Sequence, residues 1–342
     1  MKIQKRSNII FHYFFYCVIG FIYILISLSF IQNAYSQQRT SLGDPVIPLA
    51  ILTKDDQGKP LKFPSAVFCD HKTGEIYVVS SGSSKVVIYS PDYFPEISIG
   101  AGRGIDAPRG VYVDKLGNIY ITQGPTSNHP SEITVLNAAL FPIKNIQLTG
   151  FKGAKNFIPV NLIEGKDGNL YVTGLGSYGV IVLNKDGKFL KRIVPGKNLY
   201  TKHSKVPHIL ITNIAKDKRG NLFMLSEDTS KIYVYNPEGD FMFSFGKKGG
   251  TLGKTSHPRG IAIDNKNGLI YVVDYMRHTI LAYNLRGEFM FEFGGKGWSP
   301  GWFNYPTSVA VDKNGNIIIA DLFNQRVQVL KIGKPKDLLN FK

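Results

Sequence analysis

"GIAIDNKNGLIYVVDYMRHTILAYN", residues 260–284, alternates apolar and polar residues, turns at Gly268, alternates again and then carries the pair Arg277-His278. A period of two marks a β-strand, and short strands separated by Gly, Asn or Asp mark hairpins. The Arg-His pair is then either a reactive group or the corner of a hairpin. The pattern recurs, which decides the architecture before any single residue can be interpreted. "FPSAVFCDHKTGEIYVV" begins at Phe63, "APRGVYVDKLGNIYIT" at Ala107, "IPVNLIEGKDGNLYVT" at Ile158, "ITNIAKDKRGNLFML" at Ile211, "HPRGIAIDNKNGLIYVV" at His257 and "YPTSVAVDKNGNIIIA" at Tyr305. The turn glycines Gly74, Gly117, Gly168, Gly220, Gly268 and Gly315 are spaced 43, 51, 52, 48 and 47 residues apart. That interval is the length of one propeller blade.

Each unit reads as four short antiparallel strands. In the fifth they are expected near 260–264, 269–273, 279–284 and 288–293, with tight turns at 264–268 and 284–287. A sheet that is apolar on both faces cannot bury both alone, so consecutive sheets must stack about an axis. The expected fold is all-β, a six-bladed β-propeller over residues 46–333. Closure of the ring is expected from the N-terminal side: "VIPLAILT" at 46–53 supplies the outer strand of the last blade. The alternative is local completion by "DLLNF" near the C-terminus.

The units resemble NHL repeats: a Pro, Gly or small residue, an apolar strand ending in Asp, then "GN(I/L)Y(V/I)", a second Asp, a basic residue and a further apolar strand. "YPTSVAVDKNGNIIIADLFNQRVQVL", residues 305–330, is the fullest copy. Units three and four depart from the pattern, with Gly165 in place of the first Asp and Thr173 and Ser226 in place of the second. The resemblance covers roughly residues 45–333 and implies a fold, which hosts many functions.

Residues 1–36 read as a signal peptide or an N-terminal membrane anchor. Lys2, Lys5 and Arg6 precede an apolar stretch from about Ile9 to Ile31, and "NAYSQQ" places Ala34 and Ser36 before a cut at Gln37. The stretch is also long enough to span a bilayer uncleaved. Both readings deliver the propeller out of the cytoplasm, to the periplasm, the medium or the membrane surface. Residues 37–45 form a short linker and 334–342 a C-terminal tail. After the leader only Cys69 is left, so no internal disulfide forms and a buried thiol is expected; no Cys-x-x-Cys-His occurs, which excludes covalent c-type haem. The net charge is +16, and between Lys152 and Arg219 thirteen basic residues face four acids. Such a surface favours acidic proteins, acidic glycans or anionic membranes. Export argues against nucleic acid.

In a four-stranded meander the loops joining the second strand to the third, and one blade to the next, emerge on one face of the disc. Arg277, His278, His129, His203, His208 and His257 fall on that face, and His71 on the other. The two residues after the leading Pro line the channel mouth there: Ser65-Ala66, Arg109-Gly110, Val160-Asn161, Thr212-Asn213, Arg259-Gly260 and Thr307-Ser308. Arg109 and Arg259 belong to opposite blades. Turned inward across about 10 Å they would repel by on the order of 1 to 2 kcal/mol, which a carboxylate or phosphate between them would relieve. Arg109, Asn161, Asn213, Arg259, Arg277 and His278 are therefore the candidate ligand-binding residues.

No cofactor is expected on this reading, and the function expected is a non-enzymatic binding or scaffold module for a protein or an anionic ligand. The alternative is a metal-dependent lyase or hydrolase. Resemblance to a propeller lyase that makes peptide amides implies zinc on histidines, here His129, His203, His208, His257 and His278. Resemblance to gluconolactonase-like propellers implies a cation such as calcium near Asn161 and Asn213, although no Asp or Glu occupies the other mouth positions. The run from "DYMRHTI" through "FGGKGWSPGWFNYP" resembles NHL proteins that accompany multihaem cytochromes, which implies a redox-protein partner. Finally, Glu164 and Lys216 replace apolar residues (Cys69, Val113, Ile263, Val311) at one repeat position in adjacent blades. An isolated charge there is penalised, so an ion pair between them is expected.

Overall fold

A computed structural model describes residues 46–195 and 208–333. The signal or anchor, the linker, the C-terminal tail and His203 lie outside the described residues. Within them the alternation folds as the pattern demands, into six four-stranded antiparallel sheets.

A closing strand β1 (Val46–Leu52) comes first. Blade one is β2 (Pro64–Cys69), β3 (Ile76–Ser80), β4 (Lys85–Tyr89) and β5 (Pro95–Ile99); blade two is β6 (Pro108–Val113), β7 (Ile119–Gln123), β8 (Glu132–Leu136) and β9 (Pro142–Gln147). Blade three is β10 (Ile158–Glu164), β11 (Leu170–Leu175), β12 (Val180–Leu183) and β13 (Phe189–Ile193); blade four is β14 (Asn213–Lys216), β15 (Leu222–Ser226), β16 (Lys231–Tyr235) and β17 (Phe241–Phe245). Blade five is β18 (Pro258–Asp264), β19 (Leu269–Asp274), β20 (Thr279–Asn284) and β21 (Phe289–Gly294); blade six is β22 (Pro306–Val311), β23 (Ile317–Asp321) and β24 (Arg326–Ile332). Blade six takes its fourth strand from the N-terminal side: β1 pairs with β24 from Val46↔Ile332 to Leu52↔Val327. The closing strand is thus the one expected at 46–53.

The core is a ring of six clusters, one at each blade junction. Leu52, Val78 and Val87 meet Ile318 and Val329 between blades six and one; Leu170, Val172 and Ile181 meet Ile133 and Val135 between blades two and three. Both faces of every blade are covered by a neighbour, the condition that alternation alone could not meet.

The first turn of each unit is set by its Asp. Asp114 Oδ1 accepts the backbone N–H groups of Leu116 and Asn118, both at 2.9 Å, and its Oδ2 accepts from the Asn118 amide. Asp217 and Asp312 repeat the arrangement, and Gly117 completes the turn at φ 86°, where a side chain would be strained. In blade three, Gly165 removes the carboxylate, and Asp167 takes over by accepting from the backbone and side chain of Asn169.

The register corrects one expectation. Pro159 pairs with Gly174, as Pro258 pairs with Asp274 and Pro306 with Asp321. Gly174, not Thr173, stands at the second Asp position of blade three, and Thr173 is the counterpart of Thr122. Where the Asp is kept it anchors the entering loop: Asp274 accepts from the N–H groups of Ser256, His257 and Arg277.

Candidate functional site

The innermost strands β2, β6, β10, β14, β18 and β22 enclose a channel of about 990 Å³. Its middle is apolar, with one aliphatic residue from each blade: Val67, Val111, Leu162, Ile214, Ile261 and Val309. Its mouth is built by a repeated defect. In five blades the pairing of the innermost strand skips the residue after the leading proline: Ser65, Arg109, Val160, Arg259 and Thr307. A bulged residue is unpaired and re-aimed by the local bend, a device common beside functional sites. All of these but Val160's side-chain chemistry are polar, and all line the channel together with Thr212 of blade four.

The following residue must be small or bridging because the next blade's backbone is close. A Cβ on Gly110 would lie 2.2 Å from the Val160 carbonyl, and one on Gly260 would lie 2.9 Å from Ser308 Cα. Asn161 and Asn213 serve instead as stitches. Asn161 Nδ2 donates to Asn213 Oδ1 at 2.6 Å and to the Ile214 carbonyl at 3.2 Å, and Asn213 Nδ2 donates to the Arg259 carbonyl at 2.9 Å. Their oxygens accept the N–H groups of Leu162 and Ile214. With those oxygens engaged and no carboxylate beside them, the pair does not fit a hard cation, which wants charged oxygen ligands.

The two arginines differ. Arg259 Nε lies 3.3 Å from Glu227 Oε1, and its guanidinium stacks 3.7 Å above the Tyr275 ring. Arg109 is exposed and has no ion pair among the described residues. The nearest mouth-lining acid in its own blade, Asp106, is held by His129 Nε2 at 2.5 Å. Burial lowers the pKa of His129, but its bonds to the Pro130 carbonyl and the Asp106 carboxylate outweigh this and raise it. Ser65, Thr212 and Thr307 line the mouth, but their hydroxyl oxygens are turned away from solvent and have no hydrogen-bond partner among the described residues.

Arg277-His278 is the corner of a hairpin. Arg277 forms a bidentate pair with the buried Glu292, at 3.0 and 2.5 Å, and donates to the Lys254 carbonyl at 2.6 Å. His278 sits at φ 57°, accepts the Tyr305 N–H on Nδ1 at 2.9 Å, and has its pKa lowered by burial and by Lys296. Neither side chain is free to meet a ligand. The other histidines diverge as well: His208 stacks on Tyr178 at 4.4 Å, His257 contacts Ser256 and His71 contacts the Val311 carbonyl on the far side. Among the described residues no three His, Cys, Asp or Glu side chains converge on a metal position.

Glu164 and Lys216 meet, but not as two side-chain charges. Lys216 Nζ donates to the backbone carbonyl of Glu164, whose carboxylate is paired with Lys185 at 3.1 Å. Lys216 is pushed down by desolvation and partly sustained by the nearby Glu164. Cys69 is a buried thiol raised to about 12 by desolvation.

Sequence reasoning passed over a row of aromatic rings in the loops of blades five, six and one, outside the channel lining. From Tyr275, rings follow one another through Tyr305 at 4.8 Å, Phe323 at 5.3 Å and Phe63 at 5.9 Å. Phe63 and Tyr305 each precede the leading proline and have φ of 47° and 55°. A bulky residue at positive φ before proline is sterically opposed twice, at about 1–3 kcal/mol each. The signal was present: aromatics occupy this position in units one and six only.

Comparison with known proteins agrees with the fold. Residues 203–293 match a family model described as a 6-bladed beta-propeller, and residues 303–330 match the NHL repeat. No curated protein matches the chain in sequence. A streptogramin B lyase is 14% identical with a TM-score of 0.54, covering 84% of this chain and 97% of its own. A virginiamycin B lyase from Staphylococcus aureus is 14% identical with a TM-score of 0.55, covering 83% and 99%. An auxiliary nutrient binding protein from Bacteroides thetaiotaomicron VPI-5482 is 13% identical with a TM-score of 0.61, covering 84% and 76%. At such identities these neighbours speak for architecture alone. The chain is therefore a six-bladed β-propeller whose last blade matches the NHL repeat.

Proposed function

We propose that the chain is an exported binding module that holds an anionic ligand at the channel mouth. The observation that carries this is Arg109, which lines the mouth from a bulged position, with the mouth-lining acids Asp106 and Glu227 engaged by His129 and Arg259. A fork of donors on a concave, partly apolar wall suits a carboxylate or phosphate. The channel walls have low polarisability, so the uncompensated charge reaches further than it would on an open surface. Export rests on the basic-then-apolar leader and the small residues before Gln37. A nutrient binding protein among the solved neighbours is consistent with a binding role.

The test is titration calorimetry of the full chain with citrate, acetate and sulfate. Saturable binding that weakens at least tenfold in Arg109→Ala, about 1.4 kcal/mol, and that weakens with added salt, supports the reading. Failure of every anion to bind at millimolar concentration, or indifference to Arg109→Ala, overturns it.

A further inference from the structure

The far end of the channel carries a lysine on an otherwise apolar tier. Cys69, Val113, Lys216, Ile263 and Val311 hold one repeat position at or near the ends of the innermost strands, and all five line the channel. Glu164, the sixth residue at that position, is not part of the lining; its carboxylate pairs with Lys185 at 3.1 Å. Lys216 Nζ donates to the backbone carbonyl of Glu164 and has no carboxylate within ion-pair distance among the described residues. A neutral amine keeps such a bond, because one N–H donates while the lone pair is free. Burial holds the Lys216 amine below the ordinary lysine range; Lys115, on the turn after β6, adds to this, and Glu164 and Asp167 oppose it. Tyr112, which lines the channel from β6, is kept a neutral phenol by desolvation. Past the tier, the Asp70 carboxylate accepts the Lys72 N–H of its own turn at 2.9 Å, and the His71 ring meets the Val311 carbonyl at 2.8 Å.

We propose that Lys216 is a reactive amine that captures a small apolar aldehyde at the far end of the channel as an imine. This site is separate from Arg109 and does not rest on the anion-binding reading. A lysine desolvated in an apolar pocket, or set beside a second cation, is activated as a nucleophile toward carbonyl compounds, and Lys216 meets both conditions. The same apolar wall that desolvates the amine covers the body of the aldehyde, as the lining of a small-molecule site does. In the reaction the Nζ lone pair forms a bond to the carbonyl carbon, and the C=O π pair moves to oxygen, which takes up a proton. The carbinolamine then loses that hydroxyl, together with the protons given up by nitrogen, as water, and the C=N bond is left. One amine and one aldehyde give one imine and one water, with nothing oxidised or reduced. An ordinary exposed lysine is neutral in roughly one molecule per thousand at pH 7.5, so the other lysines of the chain compete poorly.

The experiment treats the full chain at pH 7.5 with limiting benzaldehyde and sodium cyanoborohydride, which reduces each imine to a stable benzylamine, and locates the adducts by peptide mass spectrometry. The expected result is labelling of Lys216 at least tenfold faster than that of the exposed Lys72 and Lys188. In concentrated urea the preference should vanish, since the fold supplies it. Lys216→Arg, shown by thermal melting to be folded, should lose the fast adduct while Lys72 and Lys188 react as before. Glyceraldehyde, a polar aldehyde, should show a much smaller preference for Lys216 than benzaldehyde does. Labelling of Lys216 no faster than Lys72 and Lys188 overturns the proposal, as does a preference that survives in urea or a fast adduct that persists in Lys216→Arg. An equal preference with glyceraldehyde overturns the assignment of an apolar ligand. None of these outcomes bears on Arg109, whose anion site is tested separately by calorimetry.

Discussion

Asp321→Ala should destabilise the propeller more than any change at the channel mouth. Asp321 is fully buried at the end of β23 and accepts four hydrogen bonds: from the Asn304 N–H at 2.7 Å, the Asn324 amide at 2.8 Å, Arg326 Nε at 2.8 Å and the Gln328 amide at 3.0 Å. Its removal leaves the guanidinium of Arg326, itself only 7% exposed, with the carbonyls of Ser299 and Trp302 and no counter-charge. Loss of one partner from a buried ion pair costs about 3–5 kcal/mol, chiefly for the charge left behind. For a domain of this size, roughly 2–4 °C accompanies each kcal/mol, so the melting temperature should fall by about 10 °C. Urea unfolding followed by circular dichroism measures the loss. A double-mutant cycle with Arg326→Ala should show coupling of about 1–3 kcal/mol. A loss below about 1 kcal/mol for Asp321→Ala, or simple additivity with Arg326→Ala, would refute the argument that this buried network fastens the entry to blade six.

Histidine substitutions should give opposite pH signatures between about pH 5 and 8. The raised pKa of His129 makes its contribution full below the ordinary histidine value and lost as pH rises through the raised one; the lowered pKa of His278 makes its contribution present above the ordinary value and lost as pH falls through the lowered one. Melting temperatures of His129→Gln and His278→Gln relative to the parent should therefore slope in opposite directions with pH. Deleting residues up to Leu52 should leave β24 as an open edge and expose the junction formed by Leu52, Val78 and Val329, seen as a lower and broader thermal transition. Mass spectrometry of the chain expressed in a bacterial host should show a start near Gln37; an intact Met1 chain in the membrane fraction would establish an anchor instead.

The fold was legible because two of its causes are local. Strand alternation and the Asp-x-x-Gly-Asn turn are written within a dozen residues, and the turn's hydrogen bonds close on the same segment. Contacts between blades are not local, and there the sequence gives positions without partners. Asn161 and Asn213 look like ligands until the adjacent strand is placed 2.6 Å away. Glu164 faces Lys216 in the repeat alignment, yet Lys185, on the turn after β12, reaches its carboxylate. Thr173 fits the Asp position by sequence, and the bulge at the start of β10 moves Gly174 there. The arginines at the mouth were readable as a pair of positions, but not that Glu227 and Tyr275 would engage only one of them.

The pairing of β1 with β24 also fixes how the ring responds to force. Val46 and Ile332 are register partners at the same end of an antiparallel pair, next to both outgoing segments of chain. Tension drawing those segments apart therefore acts across one pair at a time, in the manner of a zip, instead of shearing the whole ladder together. The ring should part at low load by peeling β1 from the rim, residue by residue toward Leu52, while the six junctions next to the channel are still intact. Mechanical opening of this propeller is then a rim event, separable from the loss of its mouth.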